Sequence, residues 1–190
     1  MTPLGLLQAA RDTVANPRGA ARAVLALELP MSTLWLALAL LAVLSTLLTL
    51  ASLALSPYAG DPALLAMLAQ PLLLAGFDLA VLVMSVHLMH TVGKMAGGRG
   101  RLAGALALMV WLQVILLIVQ AAQLVTQPLV PPLADGIGLV GFAVLVWLLT
   151  HFVAELHGFA SLGKVLAGLA GTVLGLSLLM ALLLAGMMGG

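Results

Sequence analysis

Residues 102–125 read LAGALALMVWLQVILLIVQAAQLV, and this stretch decides the fold. It contains no Asp, Glu, Lys or Arg. A helix needs roughly 20 apolar residues to cross the hydrocarbon core of a bilayer, where it satisfies its own backbone hydrogen bonds. The sequence therefore predicts a membrane-spanning helix over residues 102–125.

Similar apolar segments lie on both sides of this one. Hydrophobic residues make up 64% of the chain and charged residues 7%, whereas a soluble domain has about a quarter of its residues charged. The predicted fold is all-α, a polytopic membrane protein with a single five-helix transmembrane domain over residues 31–190. The predicted spans are residues 31–55, 71–93, 102–125, 137–156 and 163–187. A short interfacial helix over residues 63–70 is expected to continue past Pro71 into the second span.

Residues 1–30 are predicted to form an amphipathic arm before the first span. The pair Asn16-Pro17 predicts a break between two short helices. Such an arm can lie in the headgroup region with its arginines toward anionic lipid. Trp35 and Tyr58 are expected near the two ends of the first span, since interfacial aromatic residues prefer these depths.

The basic residues predict the orientation of the chain. All seven fall on one side of the five predicted spans: Arg11, Arg18, Arg22, Lys94, Arg99, Arg101 and Lys164. Lys and Arg near membrane spans are retained in the cytoplasm. We therefore expect the N-terminus in the cytoplasm and the C-terminus outside.

Several function classes find no support in the sequence. Short loops leave no room for a soluble catalytic domain, and no residues are predicted to be catalytic. The chain has no cysteine, which excludes thiolate catalysis and thiolate metal ligands. Gly98-Arg99-Gly100 lacks the Lys-Ser/Thr ending of a phosphate-binding loop. The basic residues are explained by topology, so no nucleic-acid partner is predicted, and the expected surroundings are the lipid bilayer.

One polar group is predicted inside the membrane, in the outer half. Asp78 lies roughly 10 Å into the second span, and a charged side chain at such depth usually faces the bundle interior. Glutamines recur on one face of the third span, at Gln113, Gln120 and Gln127, with Gln123 beside them. We expect this face to hydrogen-bond Asp78. The pattern is compatible with an inter-helix polar clamp and with a proton or ligand site.

A second polar group is predicted at the cytoplasmic end. His87 and His90 lie near the end of the second span, and His151 and Glu155 lie near the end of the fourth, with His157 just beyond. Two imidazoles from one helix with an imidazole and a carboxylate from another could form a four-ligand zinc-type site. The alternative is a set of interfacial or packing histidines without a metal or other cofactor.

Small residues recur in the last span. Gly163, Ala167, Gly171 and Gly175 have the four-residue spacing that lets another backbone approach closely. The pattern predicts intramolecular helix packing, and the alternative is a face for a homo-oligomer or a membrane protein partner.

Two short glycine-containing stretches resemble the bacterial branch of the YIP family, the Ypt/Rab-interacting membrane proteins. They are Met95-Ala96-Gly97-Gly98-Arg99-Gly100 after the second span and His157-Gly158-Phe159-Ala160-Ser161-Leu162-Gly163-Lys164 before the last. The resemblance also includes Asn16-Pro17-Arg18 and the five-span layout, and it implies a bacterial inner (plasma) membrane protein. GTPase contact is not carried over, because the long N-terminal region and the Asp-Leu-Tyr-Gly-Pro element of the eukaryotic branch are missing.

Three functions remain open from the sequence. The first is a non-enzymatic membrane-organising or partner-binding scaffold. The second is a small transporter or transporter subunit that uses Asp78 and the glutamine face. The third is an intramembrane metal-dependent protein that uses the His/Glu group.

Overall fold

The computed structural model describes residues 2–56 and 60–188, and in these residues all regular structure is helical. The arm consists of α1 (Pro3–Ala15) and α2 (Pro17–Leu25). Asn16 stands between them, and its side chain caps α2 by accepting a hydrogen bond from the Gly19 N–H at 3.0 Å. The helix break therefore lies where Asn16-Pro17 predicts it, because Pro is favoured in the first turn of a helix and Asn before it.

Five long helices and one short helix follow the arm. They are α3 (Met31–Ala54), α4 (Pro62–Leu68), α5 (Pro71–Met95), α6 (Leu102–Thr126), α7 (Pro131–His157) and α8 (Leu162–Met188). In the described residues, α3, α5, α6 and α7 are each long and apolar enough to cross a membrane. The protein is thus a polytopic helical membrane protein. In α8, the apolar helix within the described residues is the shorter range Leu162–Leu178, so the fifth span stays a prediction.

Two predicted boundaries are wrong, both near proline. The fourth long helix begins at Pro131 and not at residue 137, because the missing N–H of a proline costs nothing in the first turn of a helix. The short helix ends at Leu68 and does not continue past Pro71. Gln70 has φ −125° and ψ 54°, since a residue before proline is disfavoured in helical geometry. Tyr58 lies outside the described residues.

The central helix of the bundle is α6, the span predicted over residues 102–125. It packs against α3, α5 and α7, and its first half also contacts α2. Its buried side chains include Leu106, Leu108 and Leu112, and they meet Leu38 of α3 and Phe152 of α7 in one continuous core. The last helix differs, because α8 packs mainly along α7.

Candidate functional site at the arm end of the bundle

The arm, the α5–α6 loop and the α7–α8 turn meet at one end of the bundle, called the arm end below. The Arg99 N–H donates to the His157 carbonyl at 3.3 Å, which joins the loop to the end of α7. The Arg18 guanidinium donates to the Phe159 carbonyl at 3.3 Å, which joins the arm to the turn. The segments that carry all seven basic residues are therefore neighbours in space, as the predicted topology requires.

The arm is docked on the helix bundle. The indole of Trp111 on α6 donates to the Thr13 hydroxyl at 3.1 Å, and the indole of Trp147 on α7 donates to the Val14 carbonyl at 3.3 Å. Thr13 and Ala21 are buried. Two tryptophans of the bundle therefore hold the end of α1 through a side-chain hydroxyl and a backbone carbonyl, a contact that the sequence did not predict.

One ion pair also connects the arm to α7. Arg22 and Glu155 approach to 3.2 Å between Nη1 and Oε1. The Arg22 side chain is 62% exposed, and exposed pairs contribute at most about 1 kcal/mol. The pair fixes the register of α2 on α7 more than it stabilises the fold. It also occupies Glu155, one of the residues predicted to bind metal.

His157 is the residue around which the arm end is built. It is 2% exposed, and its two ring nitrogens each have a backbone partner. Nδ1 accepts a hydrogen bond from the Gly100 N–H at 3.2 Å, and Nε2 lies 3.0 Å from the Met89 carbonyl. Because a carbonyl can only accept, the ring must carry its hydrogen on Nε2 and be neutral for both bonds to form. We call this arrangement the histidine junction.

Glycines make room for the buried ring. A Cβ on Gly93, Gly98 or Gly100 would overlap the His157 imidazole, and for Gly100 the separation from Cε1 would be 2.6 Å. The Phe159 ring stacks on the imidazole, with ring centroids 5.5 Å apart. Only residues without a side chain allow the loop and α5 to approach this closely.

Two further glycines end the helices that enter the junction. Gly97 after α5 has φ +86° and Gly158 after α7 has φ +74°, a conformation that favours glycine. After α5, the Gly98 N–H donates to the Gly93 carbonyl at 2.9 Å, and after α7 the Phe159 N–H donates to the Ala154 carbonyl at 2.8 Å. These are Schellman helix ends. The two glycine-containing stretches singled out in the sequence are therefore the two halves of one structural contact.

A four-ligand zinc-type site, one of the two interpretations of the His/Glu group, finds no support among the described residues. In the described part of the chain, no three His, Asp or Glu side chains come together in a way that could hold a metal ion. His151 is bound to the Trp147 carbonyl at 2.7 Å through Nδ1, and Glu155 is paired with Arg22. His87 is exposed and bonds the Val83 carbonyl of its own helix at 2.8 Å. The spacing within each helix was right for a shared face, but the two faces point to different neighbours.

His90, the remaining member, faces the histidine junction. Its Nδ1 is buried without a hydrogen-bond partner among the described residues, and the ring lies near enough to His157 for an electrostatic interaction. It therefore lies apart from His87, whose ring stacks on Trp35 of α3 with centroids 6.2 Å apart.

Asp78 and the glutamine face are connected through a serine of a third helix. The Gln120 amide donates to the Ser45 hydroxyl at 3.2 Å, and Ser45 also hydrogen-bonds Asp78. Ser45 lies on α3 and is buried. The predicted link between Asp78 and Gln120 thus runs through one intervening hydroxyl. Sequence reasoning missed Ser45 because a single serine in an apolar helix usually bonds its own backbone.

The other two predicted glutamines lie apart from Asp78. Gln113 is buried within the core near the middle of α6. The Gln123 amide donates to the Ala134 carbonyl at 3.3 Å and lies against Gly138, so it bonds the first turns of α7. The seven-residue spacing places the glutamines on one face, but this face meets a different neighbouring helix at each level.

The predicted packing ridge of α8, made of Gly163, Ala167, Gly171 and Gly175, is exposed. A Cβ built on any of its three glycines would meet no atom of the described chain within 4 Å. The expectation that this ridge packs inside the molecule is therefore not met by the described residues. The glycines that do allow close helix contacts are elsewhere, including Gly104 against Leu156 and Leu25, and Gly141 against Val119.

A cleft of about 630 Å³ separates α8 from α5. Its floor is formed by α7 and Met109 of α6. The turn of residues 158–161 closes the cleft at the arm end of the bundle. Its walls are largely apolar, and Lys164 is the charged residue among those that line it. Sequence reasoning did not find this cleft, because it depends on how far apart two helices stand.

The family comparison agrees with this architecture. The model of the family described as Yip1 domain matches residues 11–185, a range that extends from α1 into α8. No curated protein and no solved structure shows a significant match. The matched range includes the second part of the arm, the histidine junction and nearly all of the helical bundle. The chain therefore belongs to the Yip1 family of integral membrane proteins.

Proposed function

We propose that the protein is a non-enzymatic membrane scaffold whose last helix binds another membrane helix. The observation that carries this proposal is the open small-residue ridge of α8. Gly163, Gly171 and Gly175 recur with Ala167 every four residues, and a Cβ on any of the three glycines would meet nothing in the described chain within 4 Å. Small residues at this spacing are typical of helix contacts in membranes. The ridge therefore offers a contact face that the protein itself does not use.

The rest of the molecule supports a scaffold role. The arm, α6 and α7 are joined by hydrogen bonds, one ion pair and a continuous core. This well-packed body holds the base of α8 in place through Val165, which is buried. The polar side chains of the arm end serve contacts within the chain, as expected for a structural junction.

The partner on α8 is a second copy of this chain or another membrane protein. Two differently tagged copies, expressed together and cross-linked in the membrane, distinguish these cases. We expect Gly171→Leu to reduce the cross-linked species severalfold, because the leucine separates the two backbones. Gly168→Leu is the matched control, because Gly168 is also open but faces the cleft. The proposal would be contradicted if the unchanged protein, Gly171→Leu and Gly168→Leu formed cross-links equally, whether to a second copy or to another protein.

We further propose that the arm end faces the cytoplasm of a bacterial cell and that the C-terminus lies outside the inner membrane. The support is the gathering of the seven basic residues in segments of the arm end. Single cysteines at Arg11 and at Leu129, labelled by a membrane-impermeant reagent, test this orientation, since the chain has no cysteine of its own. In intact spheroplasts we expect Leu129→Cys to be labelled and Arg11→Cys to be protected. The opposite pattern would contradict the proposed orientation.

A small transporter is the second candidate, and it has one observation in its favour. Asp78 Oδ2 and Gln120 Oε1 are buried without a hydrogen-bond partner among the described residues. Such atoms inside a membrane protein are often parts of proton or ion pathways. A proton flux in proteoliposomes that is lost in Asp78→Asn would raise this function above the scaffold. We expect instead that Asp78→Asn alters stability and leaves proton leak unchanged.

A further inference from the structure

The cleft between α5, α7 and α8 has the length of one lipid leaflet. Along α8 its lining runs from Lys164 to Leu176, which is about 18 Å at 1.5 Å per residue. One leaflet contributes half of the hydrocarbon thickness, or roughly 15 Å. The cleft begins at the arm end and extends toward the middle of α8, so its axis follows the direction of an acyl chain.

The walls of the cleft match an acyl chain in chemistry. The wall residues on α8 include Val165, Leu169, Val173 and Leu176. Three hydroxyls also line it. Along its length, Ser85 donates to the Val81 carbonyl at 2.8 Å and Thr172 donates to the Gly168 carbonyl at 2.8 Å, whereas Ser161 lies in the turn and accepts from the Lys164 N–H at 3.4 Å. The hydroxyl donors along the length of the cleft are therefore used within their own helices.

The end of the cleft matches an anionic headgroup. Lys164 lines it beside the turn residues Phe159, Ala160 and Ser161, and no carboxylate belongs to its described lining. A lysine at the depth of the headgroups attracts anionic lipid and keeps its charge in the polar layer. A zwitterionic lipid carries a cationic group beside its phosphate, so it gains less from Lys164 than an anionic lipid does.

A lipid is favoured over a protein helix because the cleft combines a length of one leaflet, apolar walls and a lysine at its headgroup end. We propose that the cleft binds one anionic phospholipid, with an acyl chain between α5 and α8 and its phosphate at Lys164.

Native mass spectrometry of the full chain tests this site. The protein is extracted in mild detergent and exchanged into nanodiscs of equal parts phosphatidylglycerol and phosphatidylcholine. We expect about one phosphatidylglycerol to be retained per chain on release from the nanodisc. Gly168→Leu fills the cleft, since nothing lies within 4 Å of its Cβ, and should abolish retention. Lys164→Gln should reduce the preference for phosphatidylglycerol about fivefold.

Matched controls separate the cleft from the general surface. Lys94→Gln removes an exposed lysine of the same end that does not line the cleft, and Gly171→Leu changes the α8 ridge. Both should retain lipid as the unchanged protein does, with circular dichroism verifying the fold of every variant. Equal retention by Gly168→Leu, or equal loss in Gly171→Leu, would overturn the proposal. A dimer that only Gly168→Leu separates would also overturn it, because a second copy would then occupy the cleft.

Discussion

The glycines of the histidine junction and the glycines of α8 have opposite surroundings. A side-chain carbon at Gly93, Gly98 or Gly100 would overlap the His157 ring, whereas one at Gly163, Gly171 or Gly175 would meet nothing within 4 Å. Both sets lie in or beside long apolar helices, and sequence alone does not distinguish them. The difference teaches that a glycine in a membrane helix has two uses, either to admit a neighbour already present or to leave a face open.

This contrast separates stability from association. The junction glycines permit buried contacts within one chain, so their replacement should lower the free energy of unfolding. The α8 glycines make no such contacts, so their replacement should act on what binds there. Four substitutions test this division.

His157→Ala should be the most destabilising change. It leaves a ring-sized cavity and removes the partners of the Gly100 N–H and the Met89 carbonyl, for an expected loss of about 3–5 kcal/mol. Unfolding in mixed micelles, followed by circular dichroism, measures the loss. His87→Ala is the control, because His87 is exposed. Similar losses of stability for both histidines would show that the buried contacts of His157 contribute no more to stability than an exposed histidine does.

Gly93→Ala should cost about 1–3 kcal/mol, because the added methyl overpacks the buried ring. The cost should largely vanish when His157 is already alanine, since the methyl then has room. A double-mutant cycle from the same unfolding assay gives this coupling. Additive effects of the two substitutions would mean that Gly93 is needed for some other reason.

Gly138→Ala should have a smaller effect, although its Cβ would lie 2.6 Å from Gln123 Nε2. The neighbour here is the flexible end of a side chain, which can rotate away and lose its bond to the Ala134 carbonyl. Such interhelical bonds contribute about 0.6 kcal/mol in membranes. Gln123→Ala should cost about the same in the unfolding assay. A loss as large as that of Gly93→Ala would show that close contact alone, whatever the neighbour, sets the cost.

Gly171→Ala should not destabilise the isolated chain. Alanine is a better helix former than glycine by up to about 1 kcal/mol, and its methyl group meets no atom of the described chain. Unfolding measured at high detergent-to-protein ratio, where association is suppressed, should show no loss. A clear destabilisation under these conditions would show that the ridge packs inside the folded monomer. The glycines of α8 would then not differ from those of the histidine junction.

The sequence predicted most of the helices because apolar length and proline are local signals. The helix predicted over residues 102–125 is observed over Leu102–Thr126, and the one predicted over 71–93 is observed over Pro71–Met95. Helix α7 begins at Pro131, before the predicted start of the fourth span at residue 137. Pro131 and Pro132 fit the first turn of a helix, where their missing N–H groups need no partner.

The polar sites were predictable only in part. Helical spacing placed Gln120 on one face with the other glutamines, but the hydroxyl of Ser45 that connects Gln120 to Asp78 belongs to α3 and had no signal of its own. Spacing also paired His151 with Glu155 on α7. It could not show that Trp147 and Arg22 would occupy them. Partners from distant segments depend on which helix faces meet, and the sequence of a single helix does not show how the helix is rotated relative to its neighbours.

The sequence by itself determined that this is a multi-pass helical membrane protein with its basic residues at one end, because hydrocarbon admits only long apolar helices and charge stays in water. Only the tertiary structure decided which glycines pack against another side chain and which face open space. It also decided that a cleft separates α8 from α5. Helix separation depends on the balance of side-chain contacts between several segments. The identical small residue therefore becomes a buried contact at Gly93 and an open surface at Gly171.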